Sequence, residues 1–222
     1  MLSTIEHLNT KLHRRWVPKW QEAFQDKEHG GYHERLGHNF KPIDTGHKRL
    51  VTQTRQLAVY AHASTYPSGK YYKDTLRENF EFFISRYQLN HEGCWRFSIT
   101  TDGKPKDNSL DLYGHAFVIF TMCHIHKALG DQTSKDLALA TLKVIDQKFR
   151  LNDAPGFAEC LDPQYNAIPQ IRRQDPHMHL FEACLFAYDI WGEDHWLDMA
   201  GEILGLFRKY FILHRPGTID LI

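Results

Sequence analysis

The sequence predicts an all-α fold of repeated helix pairs, with a short β-hairpin between successive pairs. Three observations predict it: glycine–aromatic segments recur at near-constant spacing, the stretches between them have helical periodicity, and helix start and stop signals stand at the joins. The chain has 222 residues, 42% of them hydrophobic, which is enough for one sizeable core.

The repeat is carried by segments 30–43, 93–106 and 156–169, which read GGYHERLGHNFKPI, GCWRFSITTDGKPK and GFAECLDPQYNAIP. Their glycines Gly31, Gly93 and Gly156 stand at nearly equal intervals along the chain. Each segment has two short strand-like runs around a turn-forming centre, which is typical of a β-hairpin. The repeating unit is therefore a hairpin followed by two helices.

About seven helices are predicted, over residues 3–25, 48–66, 69–88, 109–129, 132–150, 176–191 and 193–212. Pro18 should kink or split the first helix, because proline lacks the backbone N–H and clashes with the preceding turn. Asp175 is predicted as the N-cap of the sixth helix, with Pro176 at its first helical position. Ser68 and Gly192 are predicted to mark joins between helices.

Such helix pairs bury one face against their neighbours and form either an open solenoid or a closed toroid. The last residues, Thr218 to Ile222, carry no polar cap. We therefore expect residues 1–222 to be a single domain that is the N-terminal, truncated part of a helical toroid. The alternative is a chain whose open face is covered by another chain, for example in a homodimer.

Charge and composition argue against several classes of function. Lys and Arg together number 27, as do Asp and Glu, so there is no basic excess for nucleic-acid binding. No apolar run is long enough for a membrane span or a signal peptide. The four cysteines have no C-x-x-C spacing, which favours reduced thiols. The expectation is a cytoplasmic protein with no membrane or nucleic-acid partner.

Polar side chains open the first helix after each hairpin. Arg55 follows the first hairpin; Tyr113 and His115 follow the second; Asp175, His179 and Glu182 follow the third. Arg55, His115 and His179 fall at similar intervals along the chain, so we take them as equivalent positions. If the repeats pack side by side, these groups converge at one end of the array and form a pocket.

Each candidate has a structural alternative. Arg55 could be a surface charge, Tyr113 a core aromatic, and His115 a hydrogen-bonded core histidine. His177 and His179, at i and i+2, face different sides of a helix and cannot easily share a metal. His179 and Glu182, at i and i+3, share a face and suit proton transfer or half of a metal site. No metal site is predicted.

In this order and spacing, the strings GGYHERL, KRLVTQTR, DLYGHAFVIF and DPHMHLFEA resemble the N-acylglucosamine 2-epimerase family. That family includes cellobiose 2-epimerases and mannose isomerases. The resemblance implies an (α/α)6 barrel, of which this chain supplies about half. Helices 48–66, 109–129 and 176–191 would line its cavity.

The resemblance also implies roles for residues. Arg55 corresponds to the arginine that contacts the sugar oxygen near the carbonyl, Tyr113 to a sugar-contacting tyrosine, and His179 to the histidine at the open-chain carbonyl end. Arg55 and His179 are thus the candidate catalytic groups; Tyr113, Asp175, Glu182 and His115 are candidate substrate contacts. Asp175 stands where the motif usually has asparagine, so the donor NH₂ of that contact is lost.

The implied activity is isomerisation or 2-epimerisation of mannose- or N-acylglucosamine-type sugars through an enediol, without cofactor or metal. The family's two proton-transferring histidines lie in its second half, and residues 215–218 show no match to the string that carries one of them. We therefore expect little or no turnover from the isolated chain. The alternatives are a non-catalytic α-solenoid that binds a carbohydrate or protein partner, and an α/α-toroid glycosidase.

Overall fold

The computed structural model describes residues 3–66, 69, 72–89, 93–152 and 154–211. They form seven helical rods, which confirms the all-α repeat fold. The α-helical segments are α1 (Thr4–Lys11), α2 (Val17–Phe24), α3 (Leu50–Ser64), α4 (Tyr72–Tyr87), α5 (Leu112–Leu129), α6 (Gln132–Val144), α7 (Gln174–Trp191) and α8 (Asp194–Leu206). The join predicted at Ser68 and the segment 215–218 lie outside the described residues.

The first rod is split as the sequence predicts. A π-helical turn, Leu12–Trp16, joins α1 to α2, and the amide of Val17 donates to the carbonyl of Leu12, five residues back. Pro18 follows at the start of α2 and has no N–H to continue the regular ladder. Two further π-helical turns, Ile145–Phe149 and Phe207–Phe211, extend α6 and α8.

Three helices form the central layer of the array. α5 packs between α3 and α7, and each of these three helices also packs against the helix that follows it, α4, α6 or α8. α5 is apolar around most of its circumference, and twelve of its residues are buried. The central layer is therefore α3–α5–α7, and the helices that follow them in sequence form the second layer.

Helix ends follow capping chemistry at several joins. α5 begins at Asp111, whose carboxylate accepts from the amide of Gly114, and ends at Gly130 in the left-handed conformation. α7 ends at Gly192 in the same way. The predicted start of α7 is wrong: the helix begins at Gln174, so Asp175 lies within its first turn. Arg173 occupies the N-cap without a side-chain cap bond.

Two small antiparallel sheets tie the repeats together. β1 (Lys48–Arg49) pairs with β2 (Ser98–Ile99), which also pairs with β3 (Pro105–Asp107), and β4 (Leu110–Asp111) pairs with β5 (Cys160–Leu161). Each short strand before α3 and α5 is thus bonded to the next hairpin along the chain. This pairing holds the beginnings of the central helices at the same end of the molecule.

The predicted hairpins are present and repeat in detail. β2 and β3 form the second, while single bridges close the first (Leu36 with Pro42) and the third (Leu161 with Ala167). Their turns share a left-handed residue, at φ of 61° for Phe40, 85° for Gly103 and 67° for Tyr165. A non-glycine residue is uncommon in this conformation, and it recurs here because the turn geometry is the same.

A hydrogen bond repeats at the base of each hairpin and corrects one sequence inference. The amides of Tyr32, Trp95 and Phe157 donate to the side chains of Gln53 (2.9 Å), His115 (3.3 Å) and His177 (3.4 Å), respectively. These three acceptors stand at equal intervals along the chain. The equivalence of Arg55, His115 and His179 is therefore wrong, and the residues equivalent to Arg55 are Phe117 and His179.

Candidate functional site

The centre of the candidate site is an arginine on α3 that meets two aromatic rings of α5. The Nη2 of Arg55 donates to the hydroxyl of Tyr113 at 2.7 Å. Its guanidinium carbon lies 4.4 Å from the ring centre of Phe117, within cation–π range. Arg55 is solvent-exposed, and Tyr113 is partly so. The guanidinium of this exposed residue is thus held against the buried ring of Phe117.

A histidine from α7 completes the cluster. The imidazole of His179 meets the ring of Tyr113 edge-on at 5.0 Å and lies 4.8 Å from that of Phe117. Its Nδ1 is 3.0 Å from Oε2 of Glu182, one helical turn away. The side chain of His179 is 20% exposed and that of Glu182 is 57% exposed, so the pair opens to solvent.

The structure thus brings together four of the six predicted site residues: Arg55, Tyr113, His179 and Glu182. Phe117 is the member that sequence reasoning missed. Its signal was present in the sequence, because Phe117 stands midway between Arg55 and His179 along the chain. Correct alignment of the repeat would have placed all three on equivalent faces of α3, α5 and α7.

His115 does not join this cluster. It is completely buried, its Nδ1 lies 2.8 Å from the carbonyl of Asp111, and its Nε2 accepts from the amide of Trp95. Burial lowers the pKa of His115 to about 4, despite the opposing hydrogen bond to Asp111. Both ring nitrogens are engaged by the backbone, so the structural alternative fits His115 and the predicted sugar contact does not.

Asp175 is exposed in the first turn of α7, one repeat after Tyr113 and hence at the equivalent position of its helix. Its neighbour Arg173 pairs with buried Glu159, at 2.6 Å between Nε and Oε2. An equivalent ion pair joins Arg49 and Glu34 before α3, also at 2.6 Å. These two ion pairs hold the beginnings of α3 and α7, which carry site residues.

Beyond Phe117, the same helix faces continue as a row of rings. His124 of α5 lies 4.8 Å from Phe120, 4.7 Å from Phe186 of α7 and 5.5 Å from His62 of α3. Burial, with smaller effects of His62 and Lys127, lowers the pKa of His124 to about 4. A cavity of about 480 Å³ runs from Arg55 along this row to the first helix.

The arrangement suits a polyhydroxylated, partly apolar ligand. Arg55 and the Tyr113 hydroxyl can donate to a carbonyl or hydroxyl oxygen, and the rings offer apolar faces for C–H groups. An imidazole is a side chain that can accept or donate a proton in general acid–base catalysis. Among the described residues, no group of three or more His, Cys, Asp or Glu side chains is placed to hold a metal ion.

Comparison with known proteins decides the family. The model of the N-acylglucosamine 2-epimerase family matches residues 30–220, most of the chain. The chain belongs to the N-acylglucosamine 2-epimerase family. At the family level this places it among sugar epimerases and isomerases.

Two relatives show the range of that family. Over 162 residues the chain is 29% identical to a cellobiose 2-epimerase of Dictyoglomus turgidum, covering 73% of this chain and 40% of that protein. Over 206 residues it is 27% identical to a mannose-6-phosphate isomerase of Rhizobium meliloti, covering 91% and 51%. The chain therefore spans about half the length of the curated relatives it matches.

Solved structures agree on the fold. The cellobiose 2-epimerase of Spirochaeta thermophila superimposes with a TM-score of 0.84 at 22% identity, over 93% of this chain and 53% of that one. A family 76 mannosidase of Bacteroides thetaiotaomicron gives a TM-score of 0.72 at 14% identity, over 95% and 56%. This member of the N-acylglucosamine 2-epimerase family thus has the helical arrangement of about half of an (α/α)6 barrel. Within the described ranges, no helix is long and apolar enough to cross a membrane.

Proposed function

We propose that α3, α5 and α7 of this chain form the sugar-binding wall of an isomerase or epimerase. Its substrates would be mannose- or N-acylglucosamine-type sugars. The observation that carries the proposal is the convergence of Arg55, Tyr113 and His179 from three successive helices of the central layer. Family membership supports the reaction class, and the open, ring-lined cluster supports a sugar as the ligand.

In the proposed reaction, the sugar binds in its open-chain form and a base removes the proton from C2. The C1 carbonyl oxygen gains a proton, and a cis-enediol forms. Return of a proton to C1, with loss of the proton on the C2 hydroxyl, gives the ketose. Return of a proton to C2 from the opposite face, with loss of the proton on the C1 hydroxyl, gives the epimer. Arg55 and His179 stabilise the negative charge that develops on the carbonyl oxygen, because positioned donors act most strongly where charge appears in the transition state.

The other site residues position the sugar. Tyr113 orients Arg55 and offers its hydroxyl, while Glu182 holds the Nδ1 side of the His179 ring and directs Nε2 towards the ligand. Asp175, at the position equivalent to Tyr113, is the proposed acceptor for a sugar hydroxyl. The scheme needs neither cofactor nor metal.

We also propose that the chain associates as a homodimer. Residues 1–222 act in it as one domain. We place it in the cytoplasm, where its four free cysteines, three of them buried, would stay reduced.

Binding and turnover are tested separately. Calorimetry with mannose, fructose and N-acetylmannosamine should show binding of at least one sugar to the 222-residue chain. Little or no interconversion is expected from these 222 residues, because residues 215–218 do not match the string that carries one of the family's proton-transferring histidines. Absence of binding to all three sugars would contradict the proposed site, and rapid interconversion would contradict the expected lack of turnover.

A further inference from the structure

The segment 4–16, which comprises α1 and the π-helical turn after it, buries very little of its surface. None of the eight residues of α1 is buried, and in the π-helical turn only His13 is. The relative exposure of His13 is 7%, whereas its neighbours Leu12 and Arg14 are exposed. Because burial supplies most of the free energy of packing, His13 is the principal anchor of this segment.

His13 is buried against an aromatic ring that follows α3. Its imidazole stacks on the ring of Tyr66, with 3.8 Å between the ring centres and 29° between the ring planes. The Nδ1 atom of His13 is buried and has no hydrogen-bond partner in the part of the chain that the structure describes. Protonation of this ring would bury an unpaired positive charge, which costs much more free energy than a neutral ring does. The contact therefore favours the neutral imidazole.

Two more imidazoles lie beyond Tyr66. His62 of α3 meets the Tyr66 ring edge-on at 5.4 Å and lies 5.5 Å from His124 of α5. Together with His13 they line the cavity of about 480 Å³ that extends from Arg55. The three imidazoles come from the first rod, α3 and α5, so a charge gained by any of them acts on an interface between helices.

The surroundings of these imidazoles oppose protonation. Burial is the main cause that lowers the pKa of His13 below 6.5, and the neighbouring His62 lowers it further. The charged side chains that flank the three rings are cations, namely Lys127 of α5, Arg55 in the cavity and, on the first rod, Arg14 and Arg15. Among the described residues, none of the three imidazoles pairs with a carboxylate, so an imidazolium here would lack a counter-ion.

The end of the π-helical turn is a place where the segment can separate from α2. The regular ladder of hydrogen bonds is interrupted there, since the amide of Val17 bonds to the carbonyl of Leu12 and Pro18 has no N–H. Beyond this point α2 buries Val17 and Phe24 and has its own contact with the molecule. Loss of the His13 contact would therefore free residues 4–16 without freeing α2.

We propose that His13 holds the segment 4–16 against the end of α3 while its imidazole is neutral, and that acidification releases this segment. In the released segment the imidazole is in water and binds a proton more readily than in the fold. The stabilising effect of the contact is thus complete above pH 6.5 and declines as the pH falls below that value.

Release would open one end of the cavity to solvent, because Leu12 and His13 line that end. Any effect of release on sugar affinity rests on the proposed function, since the same cavity extends from Arg55. The release itself does not depend on that function, and it is measured without sugar.

NMR relaxation of the backbone amides of the whole chain tests the release. Spectra are recorded at about pH 8 and about pH 5, the range over which histidine titrates. Order parameters of residues 4–16 should fall from about 0.85 at the higher pH to below about 0.6 at the lower pH, because a detached helix of this length is marginal in water. Those of residues 17–24 should stay at about 0.85.

Three variants assign the response to the imidazole. His13→Phe keeps a flat ring for stacking on Tyr66 but takes up no proton, so its segment should stay ordered at both pH values. His7→Phe is the matched control, since His7 is exposed on α1, and it should release the segment as the wild type does. His62→Gln removes a neighbouring positive charge, so release should move to lower pH.

A wild-type segment that is equally ordered, or equally mobile, at both pH values would overturn the proposal. Release from His13→Phe at the lower pH would assign the response to another group and overturn it as well. Loss of order in α2 and α3 together with the segment would replace local release by general unfolding. The shift in His62→Gln is read whether or not His13→Phe folds, and an unshifted release would contradict the role of the imidazole cluster.

The outcome separates this inference from the enzymatic proposal. A segment that stays ordered at the lower pH in a chain that binds mannose refutes the release and keeps the sugar site. A segment that is released from a chain that binds none of the three sugars keeps the release and refutes the sugar site.

Discussion

At the scale of single residues, two positions of each central helix, two residues apart, have different roles. Gln53, His115 and His177 each accept a backbone amide at the base of a hairpin. Two residues further along the chain, Arg55, Phe117 and His179 meet on the open side. A shift of two residues along a helix turns a side chain to a different face, which separates the structural acceptors from the candidate site.

Arg55→Lys should weaken sugar binding by about ten- to a hundredfold, which corresponds to about 1.4–2.8 kcal/mol. Lysine keeps the charge but lacks the planar fork that reaches the Tyr113 hydroxyl and leaves donors for the ligand. Titration calorimetry with mannose measures the effect, with exposed Arg14→Lys as the control. Equal affinities for the two variants would remove Arg55 from the site.

His115→Leu should lower the free energy of unfolding by about 1–3 kcal/mol, because the Trp95 amide loses its acceptor inside the core. His115→Gln should lose less, since glutamine is the natural acceptor at the equivalent position, Gln53. Urea denaturation at neutral pH gives both values. If His115→Leu were fully stable but lost sugar affinity, His115 would be a ligand contact instead.

The pKa of His115, about 4 in the fold against an ordinary value of 6.5, also predicts a pH dependence. Between these values the unfolded chain binds a proton that the folded chain does not, so stability is full above pH 6.5 and declines as the pH falls towards 4. In His115→Gln this decline should be shallower, because that titrating group is removed. Denaturation curves over that pH range measure the slope, and identical slopes in both proteins would show that His115 titrates normally.

At the scale of elements, the sequence predicts more of the helices than of their connections. The seven helical rods, the break at Pro18 and the stop at Gly192 follow from local propensity and capping, and the structure confirms them. The pairing of β1 with β2 and of β4 with β5 joins residues that are distant in the chain, and local patterns contain no information about such partners.

The start of α7 shows the same limit. Asp175 followed by Pro176 has the chemistry of an N-cap, but Arg173, which pairs with Glu159, occupies the N-cap position in the structure. Likewise, the candidate site residues could be selected from the sequence, but the exclusion of His115 depends on burial and on the amide of Trp95, which only the packed structure shows.

The hairpin turns give a prediction at this scale. Gly103 has a φ of 85°, so Gly103→Ala should destabilise the fold by about 1–2 kcal/mol through backbone strain alone. Gly201 lies inside α8 with open space around it, so Gly201→Ala should stabilise by about 0.5–1 kcal/mol. Thermal unfolding of the matched pair checks both signs, and a neutral Gly103→Ala would show that the turn does not need the left-handed conformation.

At the scale of the whole molecule, repetition creates the site. Three hairpin–helix–helix units place the beginnings of α3, α5 and α7 at one end, and equivalent faces of these helices become one continuous wall. The wall matches about half of the barrel found in solved relatives.

The most direct test of the sugar-binding wall is NMR of the histidine imidazoles during titration with D-mannose. The resonances of His179 should shift, because its ring lies in the open cluster with Arg55 and Tyr113, whereas those of buried His115 should stay unchanged. A titration in which His115 shifts and His179 does not would contradict the assignment of the site to the α3–α5–α7 wall.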